Sequence, residues 1–149
     1  QLAHSASAHG LHVVETLAGL KPTPVSPNNI TRCIYTRLEA ASVGLSESQA
    51  KEAGYDVSVT QSSFQGNAKA LVKGEAQGFI KIVTDKAYGE VLGAFIVGPH
   101  ATDLISEILG VKASEGTMNE LSNIIQPHPS LSEAIGESAD AYFGKAIHM

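Results

Sequence analysis

The apolar positions of this chain change period twice. Over residues 3–20, Ala3, Ala6, Gly10, Val13, Val14 and Leu17 recur at three- and four-residue spacing with no proline among them, which predicts an amphipathic helix. Lys21-Pro22-Thr23-Pro24, followed by Pro27, ends it and predicts an extended linker over 21–31. That shift in composition is the best candidate domain boundary. Residues 1–31 read as a helix belonging to a preceding domain plus its linker, and 32–149 as a domain of its own. Beyond the linker the period shortens to that of strands. Arg32–Thr36 makes one short run, Tyr55–Thr60 alternates like a half-exposed strand, and Gly78–Asp85 and Glu90–Val97 are β-branched runs joined by the turn Lys86-Ala87-Tyr88-Gly89. Ser46-Glu47-Ser48-Gln49 has the form of a capping box and opens a short helix that Gly54 closes. The last third returns to helical spacing. Leu104, Ile105, Ile108, Leu109 and Val111 share a face over 101–114, and Thr117-Met118-Asn119-Glu120 is a second capping box. Ser130-Leu131-Ser132-Glu133 opens a final helix over 131–142. Strands first and helices after, rather than strict alternation, predict an α+β domain whose antiparallel sheet is covered by helices on one side.

Composition narrows the function classes. With 149 residues, 43% of them hydrophobic, the chain can bury one ordinary core. A net charge of -5, with the ten basic residues scattered rather than striped, argues against nucleic acid. No apolar run approaches the roughly 20 residues of a membrane span. The single cysteine, Cys33, sits in an apolar run and reads as a buried, inert thiol. It leaves no internal disulfide possible and fits a reducing compartment. His9 and His12 stand one helical turn apart, but no cysteine or second convergent pair joins them, so no metal site is expected. The start, Gln1-Leu2-Ala3-His4, has neither an initiator Met nor a signal sequence and reads as the middle of something longer.

The chemistry concentrates in Gln126-Pro127-His128-Pro129-Ser130-Leu131-Ser132-Glu133. An imidazole titrates near neutrality and can take a proton in one step and return it in another. A carboxylate five positions on can fix its tautomer and stabilise the imidazolium, so His128 and Glu133 form a candidate acid–base pair. Glu133 has a plainer role open to it, as the residue that reaches back to cap the helix at Ser130. The two roles are compatible. Nothing in the chain supplies a nucleophile, a redox disulfide or a cofactor fingerprint for such a base to serve. It therefore reads as part of an active site. His100, after Gly98-Pro99, reads as a histidine in a solvated turn before a helix.

These motifs resemble a known family. Ile34-Tyr35-Thr36 with Ser42-Val43-Gly44-Leu45-Ser46-Glu47 is similar to the start of the C-terminal interface domain of flavin-dependent disulfide oxidoreductases. Gly78–Val83 and Val91–Gly98 resemble its central strands, and His128-Pro129-Ser130-Leu131-Ser132-Glu133 resembles its His-Pro-Thr-x-x-Glu signature. The closing Tyr142-Phe143-Gly144-Lys145-Ala146-Ile147 is more similar to dihydrolipoamide dehydrogenases than to glutathione or mercuric reductases. Leu2-Ala3-His4 and the helix after it match the stretch where the flavin domain hands over, so the first helix would be left over from that domain.

The resemblance implies a parent that oxidises dihydrolipoamide with FAD, a redox disulfide and NAD, all contributed upstream. It implies a homodimer in which each subunit's His128 and Glu133 complete the other's active site, with His128 accepting the proton of a substrate thiol. It further implies a cis His128-Pro129 bond, flavin contacts from the Leu2 and Ala3 backbone and from His128 and Pro129, and a cytoplasmic or mitochondrial-matrix location. Alone, the chain would bind neither cofactor tightly and would be catalytically silent. Three positions depart from the family's pattern. Gln126 stands where a second histidine is common, Leu38 stands where a proline is usual and alters how the chain leaves the first strand, and Ser130 replaces a threonine that caps equally well. Two alternatives remain open: the same domain of another disulfide reductase, such as glutathione reductase, and a stand-alone interaction module whose His–Glu pair is merely structural.

Overall fold

The structure, a computed structural model, describes residues 2–148. A helix, α1 (Ala3–Leu17), leads into the linker and then strands β1 (Arg32–Ile34) and β2 (Glu39–Gly44). Helix α2 (Glu47–Glu52), strand β3 (Val57–Ser63), helix α3 (Ala68–Lys73) and strands β4 (Phe79–Asp85) and β5 (Val91–Gly98) follow. Helices α4 (Ala101–Ala113), α5 (Met118–Asn123) and α6 (Glu133–Tyr142) close the chain. All neighbouring strands are antiparallel, in the order β1-β2-β5-β4-β3. The expected α+β architecture is present.

The register explains which face is covered. Ile80 pairs with Ile96 and Ile82 with Ala94, and in β2 Ala41 and Val43 meet those same β5 positions. Side chains of alternate residues share a face, so these buried residues form one apolar surface. Ile105 and Ile108 of α4, Met118 and Leu121 of α5, and Ala134, Ile135 and Ala139 of α6 join it in a single core. On the opposite face Phe79, Lys81, Phe95 and Val97 are half-buried. Helix α2 lies on that side, where Ala50 packs with Val83 and Leu92. The lead-in to α2 crosses β5 closely: a Cβ at Gly93 would overlap the Leu45 backbone, and one at Gly44, whose φ is 75°, would overlap the Leu92 carbonyl. Neither position tolerates a side chain.

Several boundaries move. The first strand stops at Ile34, where Thr36 Oγ1 donates to the Leu38 carbonyl at 2.6 Å and turns the chain into β2. Strand β2, with its small residues, shows no run long enough to predict from sequence. Cys33 is half-buried on this edge pair rather than buried. Helix α3, capped by the Asn67 side chain, has too short a pattern to be read. The capping boxes at Ser46 and Thr117 are both formed. No residue of α1 is buried, and Leu11, Val14 and Leu17 are exposed. Among the described residues no helix is long and apolar enough to cross a membrane.

Candidate active site

The site is built where α6 meets the end of β3. Ser62 donates to the Ala134 carbonyl at 2.8 Å and accepts from Ser138 at 2.5 Å, both hydroxyls being buried. These bonds lock the first turns of α6 against the sheet. The loop before α6 is held at two further points. Gln126 Nε2 donates to Glu107 Oε1 on α4 at 2.6 Å. Asn67, also buried, accepts from the Ala70 N–H at 3.0 Å and donates Nδ2 to the Ser130 carbonyl at 2.9 Å. Between these anchors the His128-Pro129 bond is cis.

Glu133 divides its carboxylate between two partners. Oε1 lies 2.8 Å from His128 Nδ1, and Oε2 accepts the Ser130 N–H at 2.7 Å. The pairing role and the capping role therefore coexist in one side chain. The capping box is only half made, however: α6 begins at Glu133 rather than 131, Ser132 is its N-cap, and the Ser130 hydroxyl meets Ser132 Oγ at 3.0 Å. The Glu133 side chain is 28% exposed and that of His128 is 73% exposed, so a half-buried acid holds an imidazole open to solvent. Burial pushes the Glu133 carboxyl upward. The Ser130 N–H, the hydrogen bond and charge of His128, and the charge of His148 outweigh it and hold the group below the usual carboxylate range. Glu107 goes the other way, because burial raises it more than the Gln126 amide lowers it.

His128 and Glu133 border a cavity of about 130 Å³, with the 63–68 segment as its opposite wall and Glu137 and His148 beside them. A larger cavity, of about 240 Å³, lies away from the pair beside Arg37, Lys73 and His100. There Glu39 and Glu75 offset the cations, and Lys73 Nζ already meets His100 Nε2 at 2.9 Å. The chemistry favours the smaller one. His100, at the head of α4, is exposed as expected. Pro129 adjoins His128 and is exposed. Leu2 and Ala3 are not among the cavity's lining residues; they stand at the start of α1, Leu2 being its extended N-cap. The anchors Asn67 and Glu107 were not legible in the sequence, since each acts across a long separation. Glu137, one helical turn after Glu133, carried a signal that the pattern of Gln126–Glu133 overshadowed.

Comparisons with known proteins agree on one family. The sequence model of the pyridine nucleotide-disulphide oxidoreductase dimerisation domain matches residues 30–139. A dihydrolipoyl dehydrogenase of Bacillus subtilis is 50% identical over 148 residues, covering 99% of this chain and 31% of that protein. One of Zymomonas mobilis is 40% identical over 148 residues, 99% of this chain and 32% of that protein. The crystal structure of LpdA from Mycobacterium tuberculosis superposes with a TM-score of 0.88 at 28% identity, covering 95% of this chain and 31% of that one. This chain thus spans about a third of the length of the relatives it matches. Its sheet, its covering helices and its sequence make it a member of the pyridine nucleotide-disulphide oxidoreductases, corresponding to the dimerisation domain of their dihydrolipoyl dehydrogenase-like branch.

Proposed function

We propose that the chain carries the acid–base half of a dihydrolipoamide-oxidising active site and, through a two-fold dimer, offers it to the partner subunit. The observation that carries this reading is the 2.8 Å contact between His128 Nδ1 and Glu133 Oε1 on a solvent-facing imidazole. With Glu133 ionised, Nδ1 bears the hydrogen and donates it, so Nε2 keeps its lone pair. Nε2 takes the proton of an incoming thiol, and the imidazolium so formed is stabilised by the carboxylate behind it. The thiolate left behind is the form competent for thiol–disulfide exchange. The electron-transfer chemistry belongs to FAD, NAD and a redox disulfide contributed by segments outside this chain. The free first-turn amides of α1, at Leu2 and Ala3, suit the electron-rich edge of a flavin. The exposed apolar stripe of α1 fits a helix made to pack on a preceding flavin domain rather than a stand-alone module. The named relatives favour dihydrolipoamide over glutathione as the thiol substrate, and a reducing compartment such as the cytoplasm or mitochondrial matrix suits that chemistry.

The test is His128→Gln in the full-length parent. It should lower dihydrolipoamide oxidation by about two to four powers of ten while flavin absorbance stays unchanged. Near wild-type turnover would remove His128 as the base.

A further inference from the structure

Helix α1 buries no residue, so apolar packing within this chain does little to fix it. Two side chains bridge it and its linker to the rest of the fold. His4, in the first turn of α1, donates from Nε2 to the Thr31 carbonyl at 2.9 Å, 27 positions on and directly before β1. Lys112, in the last turn of α4, donates from Nζ to Asn29 Oδ1 at 3.0 Å, and Asn29 ends the short 3-10 turn Pro27–Asn29 of the linker. The lysine stem passes over the end of β2: a Cβ at Gly44 would stand 2.7 Å from Lys112 Cε. Linker, β2 and α4 therefore meet at one side chain. Burial holds the Lys112 ammonium below the usual lysine range, with the charge of Glu90 acting the other way. Its acceptor is an amide oxygen and that of His4 is a peptide carbonyl, so both bonds are independent of any carboxylate.

The path of the chain shows what these bonds hold. A helix of 15 residues is about 22 Å long at 1.5 Å per residue. The His4–Thr31 bond brings the end of the linker beside the first turn, so the linker returns along the whole of α1. Pro22, Pro24 and Pro27 stiffen that return. Ser5, Ala8 and His12, three and four positions apart, are half-buried along one side of the helix. Pro22, Val25 and Ile30 of the linker are half-buried as well. Leu11, Val14 and Leu17 lie on another side and are exposed. The open side suits a preceding flavin domain, and the shielded side belongs to this one.

We propose that His4 and Lys112 are positioning residues: they couple α1, which meets the flavin, rigidly to the domain that carries His128. The inference rests on the acid–base reading above and extends it. In that reading each flavin site is completed by the partner's His128, so the reacting geometry depends on every joint between the flavin and the two-fold axis. Residues 18–31 are the covalent joint. Left flexible, it would let the reacting groups drift, and a displacement of about 1 Å can cost about a hundredfold in rate. Held at Asn29 and closed back on His4, it becomes part of the domain. His4 directly follows Leu2 and Ala3, whose amides are the flavin contacts, so fixing its ring fixes them.

The experiment is nitrogen-15 relaxation of this chain, comparing the amides of α1 with those of β4 and β5. In the wild type both sets should show order parameters of about 0.85. His4→Ala combined with Lys112→Met, which keeps a stem over Gly44 but no ammonium, should take α1 below about 0.6 and leave the strands unchanged. His4→Gln retains a donor of similar reach and should keep the wild-type value. The strand amides report folding in the same spectra, so undocking is told apart from unfolding. His4→Ala alone, at an exposed site, replaces the double variant should that unfold. Low order in wild-type α1, or unchanged order in the variants, would overturn the proposal. In the full-length parent, the double variant should lower kcat for dihydrolipoamide oxidation about tenfold with KM and flavin absorbance unchanged, and His4→Gln should not. Full kcat in the double variant would equally overturn it. A parent that stays active with His128→Gln would sink the acid–base reading and leave the relaxation result standing.

Discussion

Glu133 gives one oxygen to the His128 ring and the other to the Ser130 N–H, and this decides what its replacement does. Glu133→Gln keeps a hydrogen bond to one neighbour but loses the charge that favours a protonated His128. It should lower thiol oxidation in the parent less than His128→Gln, and lower stability by about 1 kcal/mol in urea unfolding at neutral pH. The pH dependence has a fixed sign. Glu133 and Glu137 are held below their ordinary values, so the stability they contribute is present above the unfolded carboxylate value of about 4.3 and is lost as pH falls through their folded values. Glu107, held above its ordinary value, works against them: protonation at low pH relieves its burial. Urea midpoints at neutral and acid pH should therefore converge partly in Glu133→Gln and diverge further in Glu107→Gln.

At the scale of elements, the loop that carries His128 is placed by bonds that cross the fold. Ser62→Ala removes the buried bonds to the Ala134 carbonyl and the Ser138 hydroxyl, leaving that hydroxyl a 3.5 Å contact with the Ile80 carbonyl, and should cost about 1–3 kcal/mol by denaturant unfolding. Ser138→Ala leaves Ser62 bonded to Ala134 and should cost less. Asn67→Ala removes the tie from α3 to the Ser130 carbonyl, and amide hydrogen exchange should quicken at Ser130 and in the residues leading to it. Unchanged exchange there would mean the loop is held from the Glu107 side alone. The elements themselves were legible in proportion to their length and period. The β4–β5 hairpin, α4 and the two complete capping boxes came within a residue or two of prediction. β2 and α3 did not, because Glu39–Gly44 is made of small residues and Ala68–Lys73 is less than two turns long.

For the whole molecule, among the described residues the apolar stripe on α1 is exposed and the sheet face carrying Phe79, Phe95 and Val97 is only half-buried. Surfaces of this kind mark contacts with other protein, and a symmetric pair of chains is the commonest closed solution. Light scattering across a dilution series should give a mass twice the 15.5 kDa of one chain. A monomer at every concentration would mean that the segments outside this chain make the essential contacts, or that the interface lies elsewhere.

The sequence by itself determined the fold class, the family and the His128–Glu133 pair, because each is written in local order: periods of two and of three to four, capping boxes, and a five-residue spacing. Only the tertiary structure decided that Glu133 serves His128 and Ser130 at once, that Asn67 and Glu107 hold the loop, and that Glu137 and His148 share its cavity. The anchors among them act across separations of 19 and 63 positions, through hydrogen bonds whose partners no local pattern names. They exist because α6 is docked on β3 and the chain after it turns back.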